Sequence, residues 1–291
     1  MSAGRNFREA LLRESPLQIV GAVNAYSALL AEQAGFRCLY LSGAGVANAS
    51  FGLPDLGMTS RSEVTEEVRR IAGACTLPLL VDIDTGWGDG LSVDRTVREM
   101  ERAGASAVHL EDQVSTKRCG HRPNKRLVSV EQMLGRLKAA VDGRRDADFF
   151  IMARTDAIAL EGVEGALERA QRYVEAGADG IFVEAPLEGA AYRLFSTSMS
   201  VPILANMTEF GKTELYELTE LAAWGIKMVL YPLSAFRSMN RAAELTYQAI
   251  RSDGHQRNRL KSMQTREELY NILHYHRYEE KLDSFYLNED D

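Results

Sequence analysis

One short run gathers much of the reactive potential of this chain: Lys117-Arg118-Cys119-Gly120-His121-Arg122-Pro123-Asn124-Lys125. A thiol with an ordinary pKa of ~8.5 is drawn toward neutrality by nearby positive charge, and a thiol poised near ambient pH can give or take a proton at a carbon centre. The plain alternative is a solvated basic loop whose cysteine serves as a small apolar residue. A second constellation is Asp82-Ile83-Asp84. Two carboxylates two residues apart converge if the chain leaves extended geometry, and Thr85-Gly86-Trp87-Gly88 supplies that freedom. Paired carboxylate oxygens suit Mg²⁺, which keeps several waters and is completed by an anionic substrate, and Glu111 could hold one of those waters. Arg154 and Glu184 read either as ligand-binding charges or as an internal ion pair.

The elements that must position these groups follow from the apolar pattern. Eight β-rich runs recur: Gln18–Val23, Cys38–Ser42, Leu79–Asp82, Ala107–Glu111, Phe149–Ala153, Gly180–Glu184, Pro202–Asn206 and Met228–Tyr231. Most are apolar on both faces, as a buried parallel sheet requires. Between them lie amphipathic stretches, among them Ser92–Ala103, Val130–Val141, Val163–Ala176 and Thr213–Ala223, with Ser92 a candidate cap and Gly104 a candidate stop. The phrase Ala-Gly-aromatic/Ala recurs at 34–36, 103–105 and 176–178, marking turns from helix into strand. Eight strand–helix alternations predict an α/β fold, a (β/α)8 TIM-type barrel, in which chemistry gathers at the carboxyl ends of the strands. Polar residues fall at those ends: Ser42-Gly43, Asp82 and Asp84, Glu111-Asp112, Arg154-Thr155-Asp156, Glu184, Asn206-Met207-Thr208, and Ser234 with Arg237. A doubly wound sheet is the rival, but no glycine-rich phosphate turn follows a strand.

Composition limits the setting. The chain has 291 residues, 45% of them hydrophobic, and no linker divides it, so the expectation is one barrel domain over 1–291 with residues 239–291 as its C-terminal helical extension. Neither a signal-type segment nor an apolar run of ~18 residues is visible, so a soluble, cytoplasmic protein without membrane partners is expected. Three cysteines, Cys38, Cys75 and Cys119, are an odd number and fit a reducing compartment. A net charge of −7 disfavours nucleic acid. The sequons at Asn48 and Asn206 are read as accidental.

Taken together, the Lys-Arg-Cys-Gly-His-Arg-Pro run, Leu-Ser-Gly (41–43), Val-Asp-Ile-Asp-Thr-Gly-Trp-Gly (81–88), His-Leu-Glu-Asp-Gln (109–113) and Met-Ala-Arg-Thr-Asp-Ala (152–157) resemble the isocitrate lyase and phosphoenolpyruvate mutase superfamily. Within it the chain is similar to members that cleave 2-methylisocitrate in propionate catabolism, nearly end to end. The resemblance implies Mg²⁺ on Asp82 and Asp84, with Glu111 outside them, and a catalytic Cys119. It implies substrate contacts from Ser42, Gly43, Gly120, Arg154, Glu184, Asn206, Thr208, Arg237 and Arg266, with Ala44 and Met207 as departures from the usual pattern in the same loops. Tyr40, Asp55, His121 and Arg122 are candidate supporting residues, and Tyr40, Glu184 or a metal-bound hydroxide could accept the substrate's hydroxyl proton. The implied reaction is a retro-aldol cleavage of a tricarboxylate. The C-terminal helices, patterned through Thr265–Leu282, would be exchanged between subunits of a homotetramer, and the Cys119 loop would act as a lid. A phosphonate mutase, an oxaloacetate-cleaving enzyme and a catalytically silent barrel are the rivals.

Overall fold

The computed structural model describes residues 2–286, and the chain divides into two compact units, Met1–Phe236 and Arg237–Asp291. In the first, the strands β1 (Leu17–Gly21), β2 (Cys38–Leu41), β3 (Leu79–Asp82), β4 (Ala107–Glu111), β5 (Phe150–Thr155), β6 (Gly180–Val183), β7 (Ile203–Asn206) and β8 (Met228–Tyr231) close into a barrel in chain order. All pairs are parallel, and β8 returns to β1 with Leu17 opposite Met228. The eight expected runs are these strands, their ends shifted by at most two residues.

Helices α1 (Ala3–Arg13), α2 (Ala25–Gln33), α3 (Gly43–Phe51), α4 (Arg61–Ala74), α5 (Gly90–Ala103), α6 (Val130–Gly143), α7 (Ile158–Glu175), α8 (Gly189–Ser198) and α9 (Leu218–Ala223) accompany the strands. Local sequence explains their ends. Capping boxes at Asn24/Ser27, Ser60/Glu63 and Ser129/Gln132 satisfy the first N–H groups of α2, α4 and α6. The repeated Ala-Gly phrase works as expected: Gly35, Gly104 and Gly177 take positive φ of 90°, 104° and 101° where the chain leaves α2, α5 and α7. Several helix boundaries differ from the sequence reading: α6 runs on to Gly143, and α7 begins at Ile158, five residues before Val163. Asp89, not Ser92, precedes α5, and residues 213–217 do not join α9, whose first capping residue is Glu217.

Alternation along the strands creates two cores. Leu17, Ile19, Cys38, Tyr40, Leu80, Ala107, Phe150, Met152, Phe182, Leu204, Met228 and Leu230 fill the barrel, joined by Phe7 and Ala10 of α1. Phe7 is fully buried with its ring 4.9 Å from Phe150, so α1 plugs the amino end, where Arg8 also bonds Asp179. The opposite parity, including Leu39, Leu41, Val81, Ile83, Val108, Leu110, Ile151, Ala153, Ile181, Val183, Ile203 and Ala205, packs against the helices. Each such side chain contributes about 1.5–3 kcal/mol on burial. With the amino end closed, the carboxyl mouth is left for chemistry.

The second unit continues α10 (Ser234–Asp253) and adds a 3-10 turn (Arg257–Ser262), α11 (Arg266–Leu273) and α12 (Tyr275–Tyr286). The stretch read as continuous helical patterning through Leu282 is broken by His274, whose φ of 52° ends α11. Tyr247, Leu260, Tyr278, Leu282, Phe285 and Tyr286 are exposed in this unit.

Candidate active site at the carboxyl mouth of the barrel

The inward parity of each strand simply continues into polar residues. Period-two alternation that turns Leu80 inward turns Asp82 inward as well, and it does the same for Tyr40 and Ser42, His109 and Glu111, Met152 and Arg154, Phe182 and Glu184, and Leu204 and Asn206. Asp84 keeps company with Asp82 because its φ of 47° bends the chain. Its N–H donates to Asp82 Oδ1 at 3.0 Å. Both carboxylates converge on the first turn of α3, where Gly43 N–H donates to Asp82 Oδ2 at 3.1 Å. A Cβ on Gly43 would lie 3.1 Å from Asp82 Oδ2 and 3.2 Å from Asp84 Oδ1. The expected convergence of the two carboxylates is therefore present.

The same parity corrects the reading of Met207. Met207, buried, packs in the outer layer, on the side opposite to Asn206, because alternation turns it outward, so its side chain does not face the barrel interior as a pocket residue would. Ala44 lies inside α3 with no positive φ, so the added Cβ carries no backbone strain.

The cationic run folds down over this mouth. Lys117 Nζ reaches Asp55 Oδ1 and Asp84 Oδ1, each at 2.6 Å. Gln113 receives Arg118 N–H at 3.0 Å and donates to Arg118 O at 2.8 Å. Gly120 lies flat on the Arg154–Glu184 pair, so a Cβ there would meet Glu184 Cδ at 2.5 Å and Arg154 Nη2 at 2.6 Å. His121 Nδ1 accepts from Lys212 N–H at 2.9 Å, which leaves its Nε2 to carry the proton and face Glu184 Oε1 at 2.8 Å. Arg154 Nε lies 3.0 Å from Asp156 Oδ2 and 3.4 Å from Glu111 Oε2, its Nη1 is 3.5 Å from Glu184 Oε2, and its guanidinium stands 5.1 Å over the Phe182 ring. Asn206 Nδ2 donates to Glu184 Oε2 at 3.4 Å.

Electrostatics follow from this packing, and one expectation is reversed. The Cys119 thiol is raised, not lowered: burial dominates, and the charges of Asp55 and Glu184 add to it against the His121 backbone N–H and Arg154. The reason is where the cations go. Lys117 and Lys125 are already bound to carboxylates, while Arg118 and Arg122 are exposed, Arg122 touching Cys119 through a backbone N–H to its carbonyl at 2.9 Å. Cys119 is thus held as a protonated thiol. Burial works against an anion at Glu184, but Arg154 and His121 overcome it and hold the carboxylate below its ordinary range. Burial, opposed by the charge of Asp82, pushes His109 down to about 4, so a neutral imidazole sits 2.9 Å from the Tyr40 hydroxyl. Tyr40 itself is raised, by burial and then by Asp82.

Glu111 is fully buried, neither of its carboxylate oxygens has a hydrogen-bond partner, and burial raises its pKa well above the ordinary value. Asp84 is raised as well: burial, with the charges of Asp82 and Asp55, outweighs Lys117. Among the described residues no three His, Cys, Asp or Glu side chains form a ready-made cage. A hard cation held by two carboxylates and completed by water and substrate needs no such cage, and the oxygen-only donor set of Asp82 and Asp84 beside Glu111, whose oxygens accept no hydrogen bond, fits Mg²⁺.

Sequence reasoning gave Lys125, His109, Asp112 and Asp156 no role of their own, although Asp112 and Asp156 stood among the polar strand ends and all four lie inside motifs already quoted. Lys125, Asp156 and Asp112 become legible only through long-range pairing; Asp112, for example, accepts from Thr155 Oγ1 at 2.8 Å, Asp156 N–H at 2.9 Å and Tyr173 OH at 3.0 Å. Arg237, on α10, and Arg266, which opens α11, belong to the second unit.

Comparison with known proteins agrees with this geometry. A protein of Shewanella oneidensis named 2-methylisocitrate lyase is 60% identical over 285 residues, which span 98% of each chain. A 2,3-dimethylmalate lyase structure, described as a PEP mutase/isocitrate lyase superfamily member, superposes with a TM-score of 0.90 at 30% identity, covering 98% of this chain and 95% of that one. Phosphonopyruvate hydrolase in complex with oxalate and Mg²⁺ superposes with a TM-score of 0.86 at 31% identity, covering 99% and 100%. The phosphoenolpyruvate phosphomutase family pattern matches residues 7–251, a span that holds the whole barrel and the Cys119 loop, and the chain belongs to that family.

Proposed function

We propose that this protein is a carbon–carbon lyase that cleaves 2-methylisocitrate to pyruvate and succinate, with Mg²⁺ as cofactor, in propionate catabolism through the methylcitrate cycle. The observation that carries the reading is geometric: the Gly120 backbone, next to Cys119, rests on the Arg154–Glu184 pair at the mouth where Asp82 and Asp84 converge. The relatives named 2-methylisocitrate lyase support the choice of substrate.

The chemistry asks for a carboxylate anchor, a place for the hydroxyl-bearing carbon, and a proton for the carbanion released when the C–C bond breaks. Asp82 and Asp84 would hold Mg²⁺, with Glu111 outside them, and the ion would supply charge stabilisation at the 2-oxo acid end. The N-terminus of α3 at Ser42, Gly43 and Ala44, where Gly43 N–H already donates to Asp82 Oδ2, suits a substrate carboxylate set beside the ion. Arg154 offers a planar fork to another carboxylate, and Asn206 and Thr208 line the same wall. The substrate's hydroxyl proton passes to Glu184, one of the three candidate acceptors, as the C–C bond breaks and its electrons move onto the succinate carbon, where Cys119 Sγ–H delivers its proton; the thiolate left behind is reprotonated from solvent. Glu184, kept ionised by Arg154 and His121, orients both. The exposed aromatic and aliphatic residues of the second unit support a homo-oligomer, a tetramer with exchanged helices, since such surfaces mark protein contacts. Free cysteines, with no helix long and apolar enough to cross a membrane among the described residues, support a cytoplasmic setting.

The test is pyruvate or glyoxylate release from 2-methylisocitrate, isocitrate and 2,3-dimethylmalate, with Mg²⁺ and with EDTA. Mg²⁺-dependent pyruvate from 2-methylisocitrate, lowered about 10²–10⁴-fold in Cys119→Ala, is expected. A higher kcat/KM on either other substrate would reassign the pocket, and inactivity on all three would refute the lyase reading.

A further inference from the structure

The Cys119 loop ends in a contact that the reaction above leaves unused. Lys125 is buried, and its Nζ donates to the Gly120 carbonyl at 2.6 Å and to Asp156 Oδ1 at 2.9 Å. Asp156 is fully buried and is itself immovable: its N–H is bound by Asp112, and its carboxylate receives Arg154 Nε at 3.0 Å and Nη2 at 3.3 Å. One carboxylate therefore holds both the substrate-facing guanidinium and, through Lys125, the backbone of the residue next to the thiol.

We propose that Lys125 is a positioning residue of the reaction: its ammonium staples the Gly120 carbonyl to Asp156 and so fixes the Cys119 loop, closed, on the Arg154–Glu184 pair. The inference rests on the lyase reading for its kinetic consequence only. Gly120 has no side chain of its own to lock it, and Arg122 and Pro123 are exposed, so the carbonyl is the handle that a buried cation can grip. The grip acts one residue from Sγ, where a shift of about 1 Å costs on the order of 10² in rate. Because Arg154 keeps its own bonds to Asp156, substrate anchoring survives the loss of Lys125.

Lys125→Met should therefore lower kcat about 10²-fold with KM changed no more than about threefold. Alkylation of Cys119 by iodoacetamide, followed by mass spectrometry on substrate-free protein, should quicken at least about tenfold as the open loop passes from a minor to a major state. Lys125→Arg, which keeps the charge and can reach two acceptors, should restore both. Unchanged kcat and unchanged alkylation in Lys125→Met would overturn the proposal, as would a rise in KM at constant kcat. If Lys125→Met fails to fold, hydrogen exchange of the wild-type protein decides: protection across residues 117–125 is expected, and free exchange there refutes the staple. Should the wild-type protein cleave none of the substrates, the lyase reading fails while alkylation and exchange still judge the staple.

Discussion

Gly120→Ala isolates the seating of the catalytic loop from every other feature of the site. Its backbone does not use the left-handed region, so alanine brings no conformational strain and acts by sterics alone. The new Cβ would stand 2.5 Å from Glu184 Cδ and 2.6 Å from Arg154 Nη2, and closer still to Glu184 Cγ. Ordinary carbon contacts lie near 3.5–4.0 Å, so the loop must lift by about 1 Å. Neither neighbour can give way instead, since Arg154 is fixed by Asp156 and Glu184 by Arg154, His121 and Asn206. Lifting Cys119 by that distance should lower kcat about 10²-fold, which is about 2.7 kcal/mol in the barrier. The assay is steady-state pyruvate release at saturating Mg²⁺, with thermal unfolding in parallel to show that the barrel is intact. A variant that keeps kcat within about threefold would refute the claim that Gly120 rests on the pair during turnover. A rise in KM alone would mean that the anion site moved and the thiol did not.

Two further substitutions probe the scaffold. Phe7→Ala empties the plug at the amino end and should cost about 3–5 kcal/mol in guanidinium unfolding while leaving kcat nearly unchanged, because the chemistry is at the other end of the barrel. Asp156→Asn tests the buried charge: burial opposes the anion, but Arg154 and Lys125 hold the Asp156 carboxyl well below the ordinary carboxylate range. A folded pKa depressed below the unfolded value of ~3.9 stabilises fully above that value and loses its contribution as pH falls toward the folded pKa. The stability gap between wild type and Asp156→Asn should therefore be widest at neutral pH, about 3–5 kcal/mol, and shrink below about pH 4. A gap that widens on acidification would contradict the pairing.

Strand positions were legible in the sequence because a buried parallel barrel needs runs that are apolar on both faces, and few other structures do. The mouth residues were legible for the same reason, since Asp82, Glu111, Arg154, Glu184 and Asn206 each end such a run. What could not be read was which way Met207 turns, because its parity is fixed only once Leu204 is known to face inward. Nor could the state of Cys119 be read: four nearby cations in sequence suggest a thiolate, but two of them are claimed by carboxylates up to 62 residues away, at Asp55, and two are solvated. Sequence proximity counts charges, whereas a pKa depends on what those charges already face.

That distinction also accounts for the acid-rich character of the site. Asp82, Asp84, Glu111, Asp156 and Glu184 are buried at the mouth against Lys117, Lys125 and Arg154. Carboxylates outnumber cations, and the imbalance is not spread evenly. Asp156 and Glu184 share Arg154 and are held low, and Asp82, against its burial, is held at about 2 by His109 and Lys117, while burial pushes Asp84 and Glu111 up. Carboxyls on which burial presses hardest thus stand with Asp82 among the oxygen donors that fit a hard cation, and carboxylates held ionised by Arg154 stand where Cys119 works. A polyanionic substrate would be repelled by the first half alone and held by the second alone without activation. Placing both halves on one ring of strand ends lets a single barrel bind the anion through Arg154 and still leave two carboxylates for the ion that its 2-oxo acid end requires.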